Sequence, residues 1–304
     1  MSNQEGTGIF PNAGNAIPRT EIQKQNQWPM KIQKEGVRLS FAHLEDIHCH
    51  SGLSSCSNDP AMTPQRMLEH AEKHQYRMLC LTDHLWDAAV PGSSDWYAPQ
   101  DIDHVMQSRP LPQGKVPFFF GCETELPASG IPALARDHFD LFDFVVIPPN
   151  HMHMDGLVRP AGIDTPQKMA RLIEDRLENL LMQDLPFEKI GIAHLNCNLM
   201  FKEGAAMDVI AAMDESRMLR IFEGYAKGGA GIELNAFDYR TLDDRPGDTL
   251  RIFRIARAAG CKFYCASDAH FPPDLDRVPN ILPRVIDLLG LTEDDRYAIP
   301  GFAG

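Results

Sequence analysis

The residues of this chain with the means to do chemistry are histidines and carboxylates, and they recur in short groups: His48-Cys49-His50, Asp83-His84, Glu123, His151 and His153, His194, Glu233 with Asn235, and Asp268 with His270. Residues two apart on a strand share a face, so the imidazoles of an H-x-H unit such as His48/His50 can reach one ion. Neutral imidazole combined with carboxylate suits zinc, iron or manganese better than calcium or magnesium. The expectation is a metal centre built from widely separated parts of the chain. His70 and His74 stand at i, i+4 spacing in HAEKH. That segment lacks the glutamate of H-E-x-x-H, and with Glu69, Glu72 and Lys73 alongside it reads as a solvated helix face. His43, His104 and His138 belong to no pattern.

Short apolar runs precede each of these groups. Strands are expected at about 44–48, 77–82, 116–123, 142–147, 190–195, 231–235 and 262–266. Amphipathic stretches alternate with them. Thr63-Pro64 opens a helix that ends near Gln75, and Thr165-Pro166 opens another that reaches Gln183; in both, an N-cap threonine is followed by a proline whose missing N–H costs nothing there. Helix is also expected over 207–225 in two pieces, over 248–259 up to Gly260, and over 280–289. Strands alternating with helices imply parallel pairing and right-handed crossovers. The fold class is α/β, either a closed barrel or an open doubly wound sheet, and in both the chemistry gathers at the C-terminal strand ends. Those are the ends at which the polar groups fall. The first 36 residues are polar and aperiodic and read as an N-terminal extension, with a single domain over 37–304.

Composition removes other classes. The chain has 304 residues, 43% hydrophobic and 23% charged, with a formal net charge of −13. That balance disfavours a broad nucleic-acid surface, which works by phosphate neutralisation. A small anionic substrate fits, because bound cations reverse the local field. No run of eighteen apolar residues is present, so no membrane span is expected, and the N-terminus lacks a signal-peptide pattern. Seven cysteines without a C-x-x-C pair argue against a disulfide framework and for a cytoplasmic protein. Several of them sit in apolar, strand-like runs and read as small buried hydrophobes.

Taken together, DIHCHSGLSSCS (46–57), LTDH (81–84), GCETE (121–125), IAHL (192–195), IELN (232–235) and ASDAH (266–270) resemble the polymerase and histidinol phosphatase (PHP) superfamily over most of the chain. The resemblance implies a distorted (β/α)7 barrel with two or three divalent ions (Zn, Mn or Fe) at the C-terminal strand ends. It also implies hydrolysis of phosphate esters, with a small phosphomonoester or nucleotide-like substrate. Position by position, it assigns one ion to His48, His50, Glu123 and Asp268, and a second to Glu123, His194 and His151, with His153 as the rival. A third ion falls to His84 and His270. The family ligand expected five or six residues after His50 is replaced here by Ser55 and Cys56; either Cys56 or Asp59 substitutes, or the third ion is weak or absent, and a Cys56 thiolate would favour zinc. Glu123, Asp268 and His270 are the expected catalytic residues, around a water shared by two ions and deprotonated near neutral pH. Asp83, Glu233 and Asn235 would orient ligands, and Arg159 and Arg240 would grip phosphate. The long segment 86–114, with Trp86, Trp96 and Tyr97, would form a lid or wall over the mouth. Two other readings remain at this point: an amidohydrolase-type C–N or C–O hydrolase using similar ligands, and a non-catalytic metal-binding protein.

Overall fold

The computed structural model describes residues 41, 43–57, 59–201, 205–239 and 241–302. The expected N-terminal extension lies outside the described residues.

Eight parallel strands make up the sheet: β1 (Asp46–Cys49), β2 (Leu79–Leu81), β3 (His84–Leu85), β4 (Phe118–Thr124), β5 (Phe144–Ile147), β6 (Ile190–Ile192), β7 (Gly231–Asn235) and β8 (Lys262–Ala266). The order is β1-β2-β4-β5-β6-β7-β8, with β3 also on β4. Because β2 and β3 lie in line against β4, they are two parts of one barrel stave. The break falls at Thr82-Asp83, where Thr82 Oγ1 accepts from the Cys49 N–H (3.1 Å) and the Asp83 carboxylate turns to Ser51. The barrel closes beyond the end of β8. Asp268 N–H donates to His48 O (2.9 Å), His50 N–H to Ala269 O (3.0 Å) and Ser267 N–H to Asp46 Oδ1 (2.9 Å). The architecture is thus a nearly closed seven-stave α/β barrel.

Helices cover the sheet: α1 (Pro64–Lys73), α2 (Pro166–Leu181), α3 (Ala206–Ala212), α4 (Glu215–Gly228), α5 (Pro246–Ala258) and α6 (Arg277–Leu289). Thr63 and Thr165 accept from Arg66 N–H and Lys168 N–H, capping α1 and α2 as their Thr-Pro openings predict. Asp214 ends the break between α3 and α4 by capping the second of them. Helix α6 starts three residues before the expected boundary. Pro279 falls in its first turn, where the missing N–H has no intrahelical partner to lose. The distortion of the barrel is local: a single helical turn (Ile102–Val105) serves the β3–β4 crossover, and only a 3₁₀ stretch (Arg136–Leu141) links β4 to β5.

Period-2 alternation builds two separate apolar layers. Val145, Ile147, Ile192, Leu234, Phe263 and Cys265 face outward to the helices. Phe144, Val146, Ala193, Tyr264 and Ala266 fill the barrel interior, with Tyr297 and Ile299 packed among them. Gly191 makes room for this filling, since a Cβ there would lie 2.4 Å from both Phe144 Cζ and Tyr264 Oη. The same inward row ends at the top in polar residues: Gly121 is followed by Glu123, and Gly231 by Glu233 and Asn235. The stave therefore spends its lower inward positions on packing and its upper ones on the site.

Candidate metal centre

Eight of the predicted ligands converge at the C-terminal mouth. Glu123 is the hub. Its Oε2 lies 3.5 Å from His48 Nε2, 3.4 Å from His50 Nε2 and 2.9 Å from His84 Nδ1. Its Oε1 lies 3.7 Å from His151 Nε2 and 3.5 Å from His194 Nε2. Asp268 spans the same divide, with Oδ1 at 3.3 Å from His50 Nε2 and 3.8 Å from His48 Nε2, and Oδ2 at 3.7 Å from His194 Nε2. Most of these separations are too long for good hydrogen bonds. They match the spacing of neighbouring donors on one ion, about 3.3 Å for bonds of about 2.0–2.1 Å in a tetrahedral shell.

The far side of each ring indicates what the near side is for. His48 Nδ1 donates to Glu233 Oε1 (2.5 Å), His151 Nδ1 to Glu125 Oε2 (2.9 Å) and His194 Nδ1 to Asp238 Oδ2 (3.2 Å). His50 Nδ1 donates to Ser54 Oγ (3.2 Å), which itself donates to Asp83 Oδ1 (2.7 Å), and His270 Nδ1 donates to the Asp268 carbonyl (2.9 Å). For His48, His50, His151 and His194, Nδ1 is engaged away from the cluster and Nε2 faces it, the arrangement that fixes a ligating tautomer once a cation takes the place of any Nε2 proton. Both Glu123 oxygens are buried without a hydrogen-bond donor, which is costly unless a cation satisfies them. The donor set fits a pair of divalent ions that share Glu123.

The charges of these groups are strongly coupled, and without a cation they divide the rings into neutral and protonated ones. Burial pushes Glu123 up, but the His84 and His48 rings reverse the effect and hold its carboxyl well below the usual range. Burial, reinforced by His270 and His84, drops His50 well below the usual imidazole range and keeps it neutral. Burial opposes protonation of His48, yet Glu233 and Glu123 raise it to about 10. Two of the predicted ligands, His194 (φ 58°) and Asp268 (φ 50°), occupy the left-handed backbone region without being glycine. Such strain persists where surrounding contacts over-determine it, and functional sites are where it collects. Asn150 Nδ2 donates to the His194 carbonyl at 2.5 Å, and Asn235 Nδ2 lies within 3.4 Å of both Glu233 and Asp268.

A third group lies beside the pair: donor atoms of His50, His84 and His270 fall within 4.8 Å of one another. Cys56 is exposed as a residue, but its thiol sits against His84 and His270. Burial raises the thiol, and those two rings bring it down to about 6. Asp59, the other candidate substitute, uses Oδ1 to accept the Ala61 N–H (2.8 Å).

Of the remaining predicted residues, Asp83 touches no imidazole directly and acts through Ser51 and Ser54. His151 is buried and His153 exposed. Arg159 is turned to Asp155 of its own loop, with Nε 2.6 Å from Oδ1. Arg240 lies outside the described residues. Glu125 and Asp238 went unread in the sequence. Glu125 had a signal, since it follows Glu123 by two in GCETE and shares its face. Asp238 lies in a 3₁₀ turn after β7, where spacing does not distinguish it from a surface aspartate. The aromatic segment does cover the mouth. Tyr97 Oη donates to Glu125 Oε2 (2.9 Å), and the Trp96 ring lies 5.4 Å from that of His84. Because Tyr97 and His151 share Glu125, Glu125→Gln is expected to lower metal occupancy or rate by about 10–100-fold. Metal titration of the folded variant, with the melting temperature as control, checks this; wild-type affinity and rate would remove Glu125 from the ligand-orienting set.

No family model and no curated protein matches the sequence. Comparison with solved structures finds the fold. A histidinol phosphate phosphatase from Lactococcus lactis, crystallised with zinc, L-histidinol and phosphate, aligns over 82% of this chain and 94% of its own, at 16% identity and a TM-score of 0.53. A probable 2-pyrone-4,6-dicarboxylic acid hydrolase from Acinetobacter baumannii, with citric acid bound, aligns over 86% of this chain and 100% of its own, at 12% identity and a TM-score of 0.43. No helix of the described residues is long and apolar enough to cross a membrane. At these identities the likeness is one of architecture, and the chain has the barrel fold of the Lactococcus lactis phosphatase.

Proposed function

We propose that this protein is a metal-dependent hydrolase of phosphate esters, acting on a small phosphomonoester or nucleotide-like substrate at the mouth of the barrel. The observation that carries the reading is the buried, donorless Glu123 carboxylate with imidazole Nε2 atoms facing each of its oxygens. His48, His50, Glu123 and Asp268 would hold one ion, and Glu123, His151 and His194 the other. His84, His270 and Cys56 would hold a third, with the thiolate favouring zinc. When bound, such ions supply Lewis-acid stabilisation of charge on phosphoryl oxygens and a source of nucleophile from water at neutral pH.

The chain's own residues do the rest. Asp268 is held as a carboxylate, because burial, which would raise it, is outweighed by His270 and by its neighbours His50, His194 and His48; it takes a proton from the attacking water. His270 reaches the mouth with a side chain 22% exposed and meets the phosphoryl end of the substrate. Glu233, Asp238, Glu125 and Ser54 keep the imidazoles from rotating, so the ligand geometry is set before substrate arrives. Trp96 and Tyr97 wall the entrance and exclude water. Arg159 would leave Asp155 for a phosphoryl oxygen as substrate binds.

The test is hydrolysis of p-nitrophenyl phosphate by protein supplied with Mn²⁺ or Zn²⁺, expected to stop on chelation and in His48→Ala and Asp268→Ala. Unchanged rates in both variants would reject the assignment. Turnover of amides or lactones with none of phosphate esters would move the reaction to C–N or C–O hydrolysis at the same centre.

A further inference from the structure

We propose that His70, His74 and Asp276 form a second, peripheral site for a transition-metal ion of the zinc class, separate from the centre at the mouth. The sequence presents the two histidines as a solvated helix face, but folding brings against both a carboxylate that lies 206 residues after His70. His70 Nε2 lies 3.1 Å and His74 Nε2 3.9 Å from Asp276 Oδ1. The donor atoms of all three residues fall within 4.8 Å of one another. An ion with bonds of about 2.0–2.1 Å in a tetrahedral shell needs donors about 3.3 Å apart, between the two observed distances.

A simple hydrogen bond does not account for the group. His70 and Asp276 could be a pair by themselves, but His74 Nε2 is buried and has no hydrogen-bond partner. It is too far from the carboxylate oxygen to bond to it. An ion among the three satisfies all of them together. The rings are fixed for the purpose: they sit one helical turn apart, at the end of α1 and its C-cap, with centroids 4.4 Å apart. The side chains are 12% and 25% exposed, against 54% for Asp276, so the open side admits water as a fourth ligand. Two imidazoles and one carboxylate select zinc, copper, nickel or cobalt over calcium or magnesium.

The placement gives the site a structural consequence. Asp276 ends the 3₁₀ turn Pro272–Asp276, which begins two residues after His270 with Phe271 as its N-cap. In that turn Asp274 accepts the His270 N–H at 3.2 Å, and Arg277, the residue after Asp276, donates to the Asp268 carbonyl at 3.4 Å. An ion here ties α1 to the segment that carries two ligands of the central site.

Native mass spectrometry of the full chain equilibrated with excess Zn²⁺ tests the proposal. The wild type should carry one zinc more per chain than the His70→Ala/His74→Ala double variant, and the single substitution Asp276→Asn, at an exposed side chain, should lose the same ion if the double variant fails to fold. Glu123→Gln, which disables the central site alone, should keep the peripheral zinc, so loss of the central reading and loss of this one are told apart. Equal zinc counts in wild type, the double variant and Asp276→Asn would overturn it.

Discussion

Glu123→Gln is expected to cost at least ~10³-fold in turnover and to empty both halves of the central site. The substitution keeps the size of the side chain and one acceptor oxygen, but it replaces the other oxygen with an amide NH₂. Glu123 stands between two sets of imidazoles, with Oε2 toward His48 and His50 and Oε1 toward His151 and His194. An NH₂ on either side meets Nε2 atoms as a donor and cannot ligate, and the negative charge that balances two cations is gone. A variant of an outer ligand leaves the other half of the site complete, whereas this one removes the shared member. Elemental analysis and p-nitrophenyl phosphate turnover on the same folded preparation decide the matter. A full metal complement, or a rate within about tenfold of wild type, would show that Glu123 does not bridge.

Removing the metal should lower stability strongly, and the pH dependence of the loss should identify the ligands. Ions that bind only the folded chain at about a thousand times their dissociation constant stabilise it by about 4 kcal/mol. For a domain of this size, at an unfolding entropy of about 2.1 cal/mol/K per residue, that corresponds to a melting shift of roughly 7 °C. Imidazoles must lose protons to ligate, so this gain should be present at neutral pH and fade as the pH falls. For His48 the metal-free protein behaves in the opposite sense. Its folded pKa is raised to about 10 from 6.5 because Glu233 and Glu123 favour the charged ring over the opposing cost of burial. The stabilisation that results is fully present below pH 6.5 and is lost as the pH rises through about 10. Calorimetry of the metal-loaded and chelated protein from pH 5 to 9 should show a gap that widens from acid to neutral. A gap independent of pH, or no gap, would be incompatible with histidine ligation.

The sequence by itself determined a good deal. Two strands, 231–235 and 262–266, match the observed β7 and β8 in extent, because both are short runs that begin just after a helix-ending glycine. The histidines and acids at the strand ends were legible because a parallel α/β fold delivers those ends to one mouth. Short-range chemistry, such as the Thr-Pro openings and the inward pair Glu123/Glu125, is written in period and cap.

Only the tertiary structure decided which groups meet across the sheet. Glu233 and His48 are 185 residues apart, and His194 and Asp238 lie in different turns; no spacing rule links them, since their pairing depends on barrel stagger and loop course. The split of β2 from β3 follows from Thr82 and Asp83 bonding to the β1 stave rather than from any local propensity. The same holds for His70 and His74. A helix face looks solvated until the residue that covers it is known, and Asp276 reaches them only because the chain returns there after β8. Local periodicity sets where a side chain points, and the closed barrel sets what it meets.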